Sequence, residues 1–408
     1  MDHPSQNFFG KSTNKLLDKV VDKIFGLTDR FNPRTTLIAS LILLICTSLL
    51  MIASASIPFA SAKGYAEPLR FFWLQLGYVA IGVMAAITIY KIPIKYYYKQ
   101  HFHFILTMWA TVLILLILTK LIGEEINGST RWLSLGPFNL QTAELAKAVM
   151  VFVTADYVVR RSAEIRSNIY TGARLLIWYL PVVFFLIIQP DFGSVVVMAA
   201  TLLVMVYVGG AQGKQYLAPA IVLLSTMGIA AIAEPYRRER ILSLVGNPFD
   251  DVQGRNYQLV RSLIAYGRGR LTGTGYGDSI QKLAQLPEAH TDFLLAVTGE
   301  ELGFIGVVFV LLLEAVIVLS IMAISLQALK RRQLRLSYTV FGFAIIIFGQ
   351  VVINAGMTMG LLPTKGLTMP FFSYGGSSLV VLLMMIGFVL KVENQSPIID
   401  AKRQNDKY

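Results

Sequence analysis

The 408-residue sequence predicts an all-α polytopic membrane protein. It reads as ten transmembrane helices with a large extracytoplasmic loop between the seventh and eighth. Three observations carry that prediction. Hydrophobic residue types make up 55% of the chain and charged types only 15%, where a soluble domain has about 25% charged. Mean hydropathy is +0.61. The apolar residues also fall in long uninterrupted runs rather than amphipathic stripes. A water-soluble globule and a disordered chain are both excluded. The single cysteine, Cys46, lies inside an apolar run, so an intrachain disulfide or cysteine metal cluster is impossible.

The elements follow in order. Residues 1–34 form a polar N-terminal tail, in which Lys11 to Phe25 is a candidate surface amphipathic helix. Its length before the first run argues against a cleavable signal peptide. About 20 apolar residues cross a bilayer as a helix. Such runs lie near 36–58, 71–90, 104–122, 141–159, 173–189, 192–209, 216–233, 301–328, 338–360 and 372–391. The fourth is the weakest, because it holds Glu144, Lys147 and Asp156. Only Gln189-Pro190-Asp191 separates the fifth from the sixth, which requires a tight turn. The membrane domain spans 35–392, and 393–408 is a C-terminal tail.

Ten spans leave both termini on one side, and the basic residues choose it. With a cytoplasmic N-terminus, most of the 36 lysines and arginines fall inside, and the short outer loops keep only Lys63, Arg70, Arg131 and Lys365. The net charge of +12 is thereby explained without a nucleic-acid partner. The outer loop 234–300 breaks the pattern. It holds Arg237, Arg238, Arg240, Arg255, Arg261, Arg268, Arg270 and Lys282, a helical stretch from Tyr257 to Tyr266, and glycines at 267, 269, 273, 275 and 277. An ordered module lying on or dipping into the membrane is expected there. Its glycines match neither a dinucleotide fingerprint nor a P-loop.

Ionisable residues at membrane depth are functional candidates. Glu144 and Lys147 share a helix face, either as an ion pair tying helices together or as the lining of a cavity. Asp191 either caps the helix that starts at Phe192 or lines a site. Glu314 needs a partner inside the bundle, and Gln350 with Asn354 suits interhelical hydrogen bonds. The stretch Pro287-Glu288-Ala289-His290-Thr291-Asp292-Phe293 precedes an apolar helix at the outer interface. If it is helical, Glu288 and Asp292 share one face. A carboxylate at a water–lipid boundary is partly desolvated, which makes it a stronger base; the alternative is a helix N-terminus where acids merely suit the dipole. Arg237-Arg238-Glu239-Arg240 suits a pyrophosphate or anionic lipid heads. Gly360 to Ser378, broken by glycine and proline, is expected to be non-helical and to form a cavity wall.

Together these segments resemble the SEDS family of bacterial cell-wall polymerases from roughly Arg34 to Asn394. The resemblance rests on Gly128-Ser129-Thr130-Arg131-Trp132-Leu133, Gln189-Pro190-Asp191-Phe192-Gly193-Ser194, Tyr257-Gln258-Leu259, Leu286 through Phe293, Gly299-Glu300-Glu301-Leu302-Gly303 and Leu362-Pro363-Thr364-Lys365-Gly366 to Ser377. Thr364-Lys365 resembles the division branch, since the elongation branch has hydrophobic residues there. Gln141-Thr142-Ala143-Glu144 departs from the usual Gln-Pro-Ser-Glu, which bears on local helix geometry while Glu144 and Lys147 are kept.

The resemblance implies a peptidoglycan glycosyltransferase that polymerises lipid II at the outer face of the bacterial cytoplasmic membrane, at the division septum. The family's catalytic aspartate falls on Asp292, with Glu288 and His290 in the same motif. An inverting displacement of undecaprenyl pyrophosphate needs one base and cations for the leaving group. Arg237, Arg240 and Lys365 are the first candidates, followed by Arg131 and Arg268, and Ser377 joins the substrate-binding set. Mg²⁺ or Mn²⁺ bridging phosphates and a carboxylate is compatible with this chemistry, and no organic cofactor is implied. The implied partners are a class B penicillin-binding protein transpeptidase and other membrane proteins of the division machinery. A lipid II flippase and an elongation-type polymerase are the alternatives.

Overall fold

The computed structural model describes residues 32–405 except 99–100, 127–128, 137, 212, 234–246, 252–253, 255, 284 and 365. The surface helix expected at Lys11 to Phe25, together with Arg237, Arg238, Arg240, Arg255 and Lys365, lies outside the described residues.

The chain is mostly helical. The helices are α1 (Pro33–Ala62), α2 (Arg70–Lys91), α3 (Ile94–Tyr98), α4 (His101–Ile122), α5 (Thr142–Arg160), α6 (Ser162–Ser167), α7 (Ile169–Ile188), α8 (Phe192–Val208), α9 (Lys214–Ala233), α10 (Tyr257–Gly269), α11 (Leu294–Lys330), α12 (Leu334–Thr358) and α13 (Gly376–Asn405). Every one of the ten apolar runs is helical. By length and composition α1, α2, α4, α7, α11, α12 and α13 are able to cross a membrane, whereas α8 is shorter at 17 residues. The starts are encoded locally. Asn32 caps α1 by accepting from Arg34 N–H at 3.1 Å, with Pro33 at the first helical position. Asn168 caps α7 in the same way, through Tyr170 N–H at 2.9 Å.

In lipid the bundle gains little from apolar transfer, so close packing and interhelical hydrogen bonds hold it. Tyr97, Phe152, Phe343 and Phe388 interlock edge-to-face or stacked between α3, α5, α12 and α13. Ser325 and Ser337 exchange hydrogen bonds with each other's carbonyls at 2.8 and 2.9 Å, zipping the α11–α12 hairpin near its turn.

Four features differ from the sequence expectation. A three-stranded antiparallel sheet follows α4: β1 (Glu124–Ile126), β2 (Ser129–Leu135) and β3 (Phe138–Gln141), in that order. Its strands are too short to give a periodic signal, and the β2–β3 turn uses Gly136 at φ 75°. The chain is therefore not wholly α. Next, α11 begins at Leu294, not near 301, and kinks at Gly303 (φ 68°). There the 271–273 and 301–303 backbones come so close that a Cβ on Gly303 would overlap Leu271 and Gly273, and one on Gly273 would overlap Glu301 and Gly303. Third, α13 runs on as one helix to Asn405, through most of the expected tail. Finally, the described residues of 281–293 form a series of turns.

The helix expected in the long loop is α10. Its Ser262 hydroxyl donates to Thr358 O at 2.7 Å, docking it on the end of α12. Beyond it, the Tyr276 hydroxyl donates to Leu50 O at 2.7 Å, so this segment lies along α1 rather than standing away from the bundle.

Candidate active site

Three segments converge where α7, α12 and the starts of α8, α11 and α13 meet. They are the turn 286–293, strand β2 and the non-helical stretch 360–375. In the turn, Glu288 takes a left-handed backbone (φ 56°). Its carbonyl accepts from Thr291 N–H at 3.2 Å and Phe293 N–H at 3.1 Å, and its carboxylate from the Thr291 hydroxyl at 2.7 Å. Glu288 and Asp292 thus do not share a helical face, because the helix starts only at Leu294. The turn frees Asp292 from the helix geometry and leaves it partly exposed.

Gly366 is the meeting point. A Cβ built there would sit 3.2 Å from Asp292 Oδ2 and 3.4 Å from Arg131 Nη1. The acid and the guanidinium therefore approach one another across a bare stretch of backbone. Arg131 reaches this point from β2. It is held by donating from Nε to Gln189 O at 3.4 Å and from Nη2 to Pro190 O. Gln189 in turn is anchored to α4, donating to Leu116 O at 2.8 Å. The sheet that the sequence concealed is what carries Arg131 to the site.

The other predicted residues are engaged elsewhere. Asp191 caps α8, accepting from Ser194 N–H at 3.2 Å and from the Ser194 hydroxyl at 2.9 Å. Glu144 and Lys147 form a buried ion pair at 2.8 Å, the first of the two readings of that pair. The Ser377 hydroxyl accepts from Gln141 N–H at 2.9 Å, joining β3 to α13. Arg268 pairs with buried Glu300 at 2.7 Å. His290 is buried in an aromatic box, with ring centroids 4.7, 4.9 and 5.7 Å from Phe59, Phe71 and Tyr374. Burial pushes its pKa below the ordinary 6.5, and nearby Glu288 opposes the shift.

Sequence reasoning also missed roles. Glu300 accepts from Ile280 N–H at 3.1 Å and Gln281 N–H at 3.2 Å, besides Arg268 and the Ser279 hydroxyl. Glu301 accepts from Lys282 Nζ at 2.7 Å and from the Ser54 hydroxyl at 2.7 Å. Of the loop cations, Arg268 and Lys282 thus serve as internal counter-ions. Asn354, read as an interhelical donor, instead binds two loop carbonyls, at Asp292 and Leu367.

No site among the described residues would hold a divalent cation by protein side chains alone. Among the described residues no three His, Cys, Asp or Glu side chains cluster. Near Asp292 the adjacent charge is cationic Arg131, and Glu288 is bonded to Thr291.

An acid and an arginine at one end of a bundle with, among the described residues, seven membrane-length helices define a polytopic membrane protein with a polar site at that end. The chain belongs to the FtsW/RodA/SpoVE family of cell cycle proteins, whose family model matches residues 34–397. It is 38% identical over 375 residues to a probable peptidoglycan glycosyltransferase FtsW of Acinetobacter baylyi, covering 92% of each chain. To the protein of the same description from Legionella pneumophila it is 35% identical, covering 93% of this chain and 94% of that one. Among solved structures, it resembles a chain from work on the structural coordination of polymerization and crosslinking by a peptidoglycan synthase complex. That match has TM-score 0.67 and 28% identity, and covers 87% of this chain and 97% of the other. The rod shape determining protein RodA of Thermus thermophilus shares the fold, with TM-score 0.62 at 24% identity, covering 88% of this chain and 96% of that one.

Proposed function

We propose that this protein is a peptidoglycan glycosyltransferase that polymerises lipid II into glycan strands for septal wall synthesis. The observation that carries the reading is the approach of Asp292 Oδ2 and Arg131 Nη1 to Gly366, in a chain whose relatives bear that activity in their names. The acid and the cation are the two charges that an inverting glycosyl transfer from a lipid pyrophosphate requires.

In this mechanism Asp292 is the general base. It takes the proton of the acceptor GlcNAc 4-hydroxyl as that oxygen attacks C1 of the donor MurNAc. The C1–O bond to undecaprenyl pyrophosphate breaks, the α-linked donor becomes a β-1,4 product, and no covalent glycosyl-enzyme forms. Arg131 faces the developing negative charge, and Lys365, next to Gly366 in the chain, with Arg237 and Arg240 completes the cation set. Arg268 leaves that set because Glu300 already holds its charge. A divalent cation, if the substrate brings one, would add positive charge against the leaving pyrophosphate beside these residues.

Ten spans with both termini cytoplasmic put this site at the outer face of the cytoplasmic membrane, where lipid II is consumed. The working unit includes a class B penicillin-binding protein that crosslinks the strand, alongside other division proteins. The structure related at TM-score 0.67 comes from a synthase complex coordinating those two activities, which supports that pairing. Of the four residues a flippase path would use, Glu144, Lys147 and Asp191 are bonded within the protein, whereas Glu314 is buried with no hydrogen-bond partner for either carboxylate oxygen.

The deciding experiment is polymerisation of lipid II by the purified protein with its transpeptidase partner, compared with Asp292→Asn. Glycan strands from the wild type and none from the variant are expected. Undiminished synthesis by Asp292→Asn removes the carboxylate from the mechanism.

A further inference from the structure

Resting on that reading, we infer that Asn354 of α12 is a positioning residue for the reaction, setting the distance between Asp292 and the Gly366 backbone. Its amide nitrogen donates to Asp292 O at 2.9 Å and to Leu367 O at 2.7 Å. The two carbonyls belong to segments far apart in the sequence, on either side of the point where Asp292 Oδ2 and Arg131 Nη1 converge. Asn354 itself is fully buried, on a helix rather than a loop, so it offers a fixed reference to both.

The chemistry leaves little choice of residue. Two carbonyl acceptors need two donor hydrogens from one small group, and a carboxamide NH₂ supplies both. The partners also fix which amide atom faces them, since an oxygen there would repel both carbonyls. Aspartate has the shape without the donors, leucine has the bulk alone, and glutamine has the donors one methylene too far.

The same two segments are joined a second time, by Tyr374 N–H donating to His290 O at 3.1 Å. Loss of the Asn354 bonds therefore leaves the turn docked but lets Asp292 drift relative to Gly366. Small misplacement of a reacting group costs rate more than affinity.

The test compares Asn354→Leu, Asn354→Asp and Gln350→Leu in the full-length protein with its transpeptidase partner. Gln350 is buried one turn away on the same helix, with no hydrogen-bond partner for its carbonyl oxygen, so its leucine variant controls for a merely structural change. Per folded molecule, both Asn354 variants should lower kcat on lipid II by on the order of 10–10²-fold, with KM nearly unchanged. Gln350→Leu should keep the wild-type kcat. Hydrogen exchange provides a readout that needs no substrate. In the Asn354 variants the amides of 288–293 and 366–369 should lose protection together, and in Asp292→Asn they should not. Wild-type kcat in Asn354→Leu overturns the inference, as does an equal loss in Gln350→Leu or unchanged exchange in the two segments. A wild type that makes no glycan, while exchange still couples the two segments through Asn354, overturns the polymerase reading and leaves the tie in place.

Discussion

Within ten residues of chain, the protein uses carboxylates in two opposite ways. Glu300 and Glu301, on the first turns of α11, are fully buried and held by several donors each: Arg268, Ser279 and two backbone amides on one, Lys282 and Ser54 on the other. Asp292, on the turn just before the helix, is placed through its backbone carbonyl by Asn354 and keeps its carboxylate partly exposed beside Gly366. A buried charge with every lone pair served is a strut, because removing its partner leaves an ion in a poor solvent. A partly exposed acid whose residue is held through its backbone carbonyl is able to act on something that arrives.

That contrast breaks if the two kinds of carboxylate respond alike to substitution. The largest effect is expected for Asp292→Asn, a loss of about 10²–10⁴-fold in lipid II polymerisation with an unchanged melting temperature. At the strut, Lys282→Met leaves Glu301 buried without its cation and should cost about 3–5 kcal/mol of stability. It should appear as a lower melting temperature and yield, and be relieved when Glu301→Leu is added. Full recovery of activity per folded molecule would separate the strut from the chemistry. Gly366→Ala places a Cβ 3.2 Å from the Asp292 carboxylate and 3.4 Å from Arg131. One of them must shift, so polymerisation should fall on the order of 10-fold with little change in stability; an unaffected rate would mean the geometry at Gly366 is slack.

The smallest effect concerns His290, two residues from the acid. Because its pKa is lowered in the folded protein, the unfolded state binds more protons as pH falls through 6.5. Stability is therefore fully present above 6.5 and declines below it. Thermal unfolding at about pH 5 and about pH 7.5 should show that loss in the wild type and less of it in His290→Phe, which keeps the aromatic box. An identical pH response in both would exclude His290 as its source.

The helices and their order were legible because each apolar run announces itself in one dimension: a buried or lipid-facing segment must satisfy its own backbone, and a helix does so locally. Of the helix caps, Asp191 was legible for the same reason, and those at Asn32 and Asn168 emerged only with the structure. Asp292 stood out through its motif. Less visible was how the acid is held. The turn before α11 was hidden behind a helical reading of Pro287 to Phe293, and the strands from Glu124 to Gln141 are too short to show alternation.

Local pattern by itself thus determined a ten-run helical chain and put Glu144 and Lys147 on one helix face, while the family resemblance marked the segment bearing the acid. Only the tertiary structure decided which charges are struts and which face the site. Arg268 read as a ligand for a phosphate until Glu300 met it, and Lys282, a cation of the same loop, is held by Glu301. Arg131, in a short outer loop, came to Asp292 through a sheet and a helix corner. The reason is physical: a charge's role depends on what neutralises it, and the partners here lie 19 residues apart along the chain for Lys282 and Glu301 and 32 apart for Arg268 and Glu300.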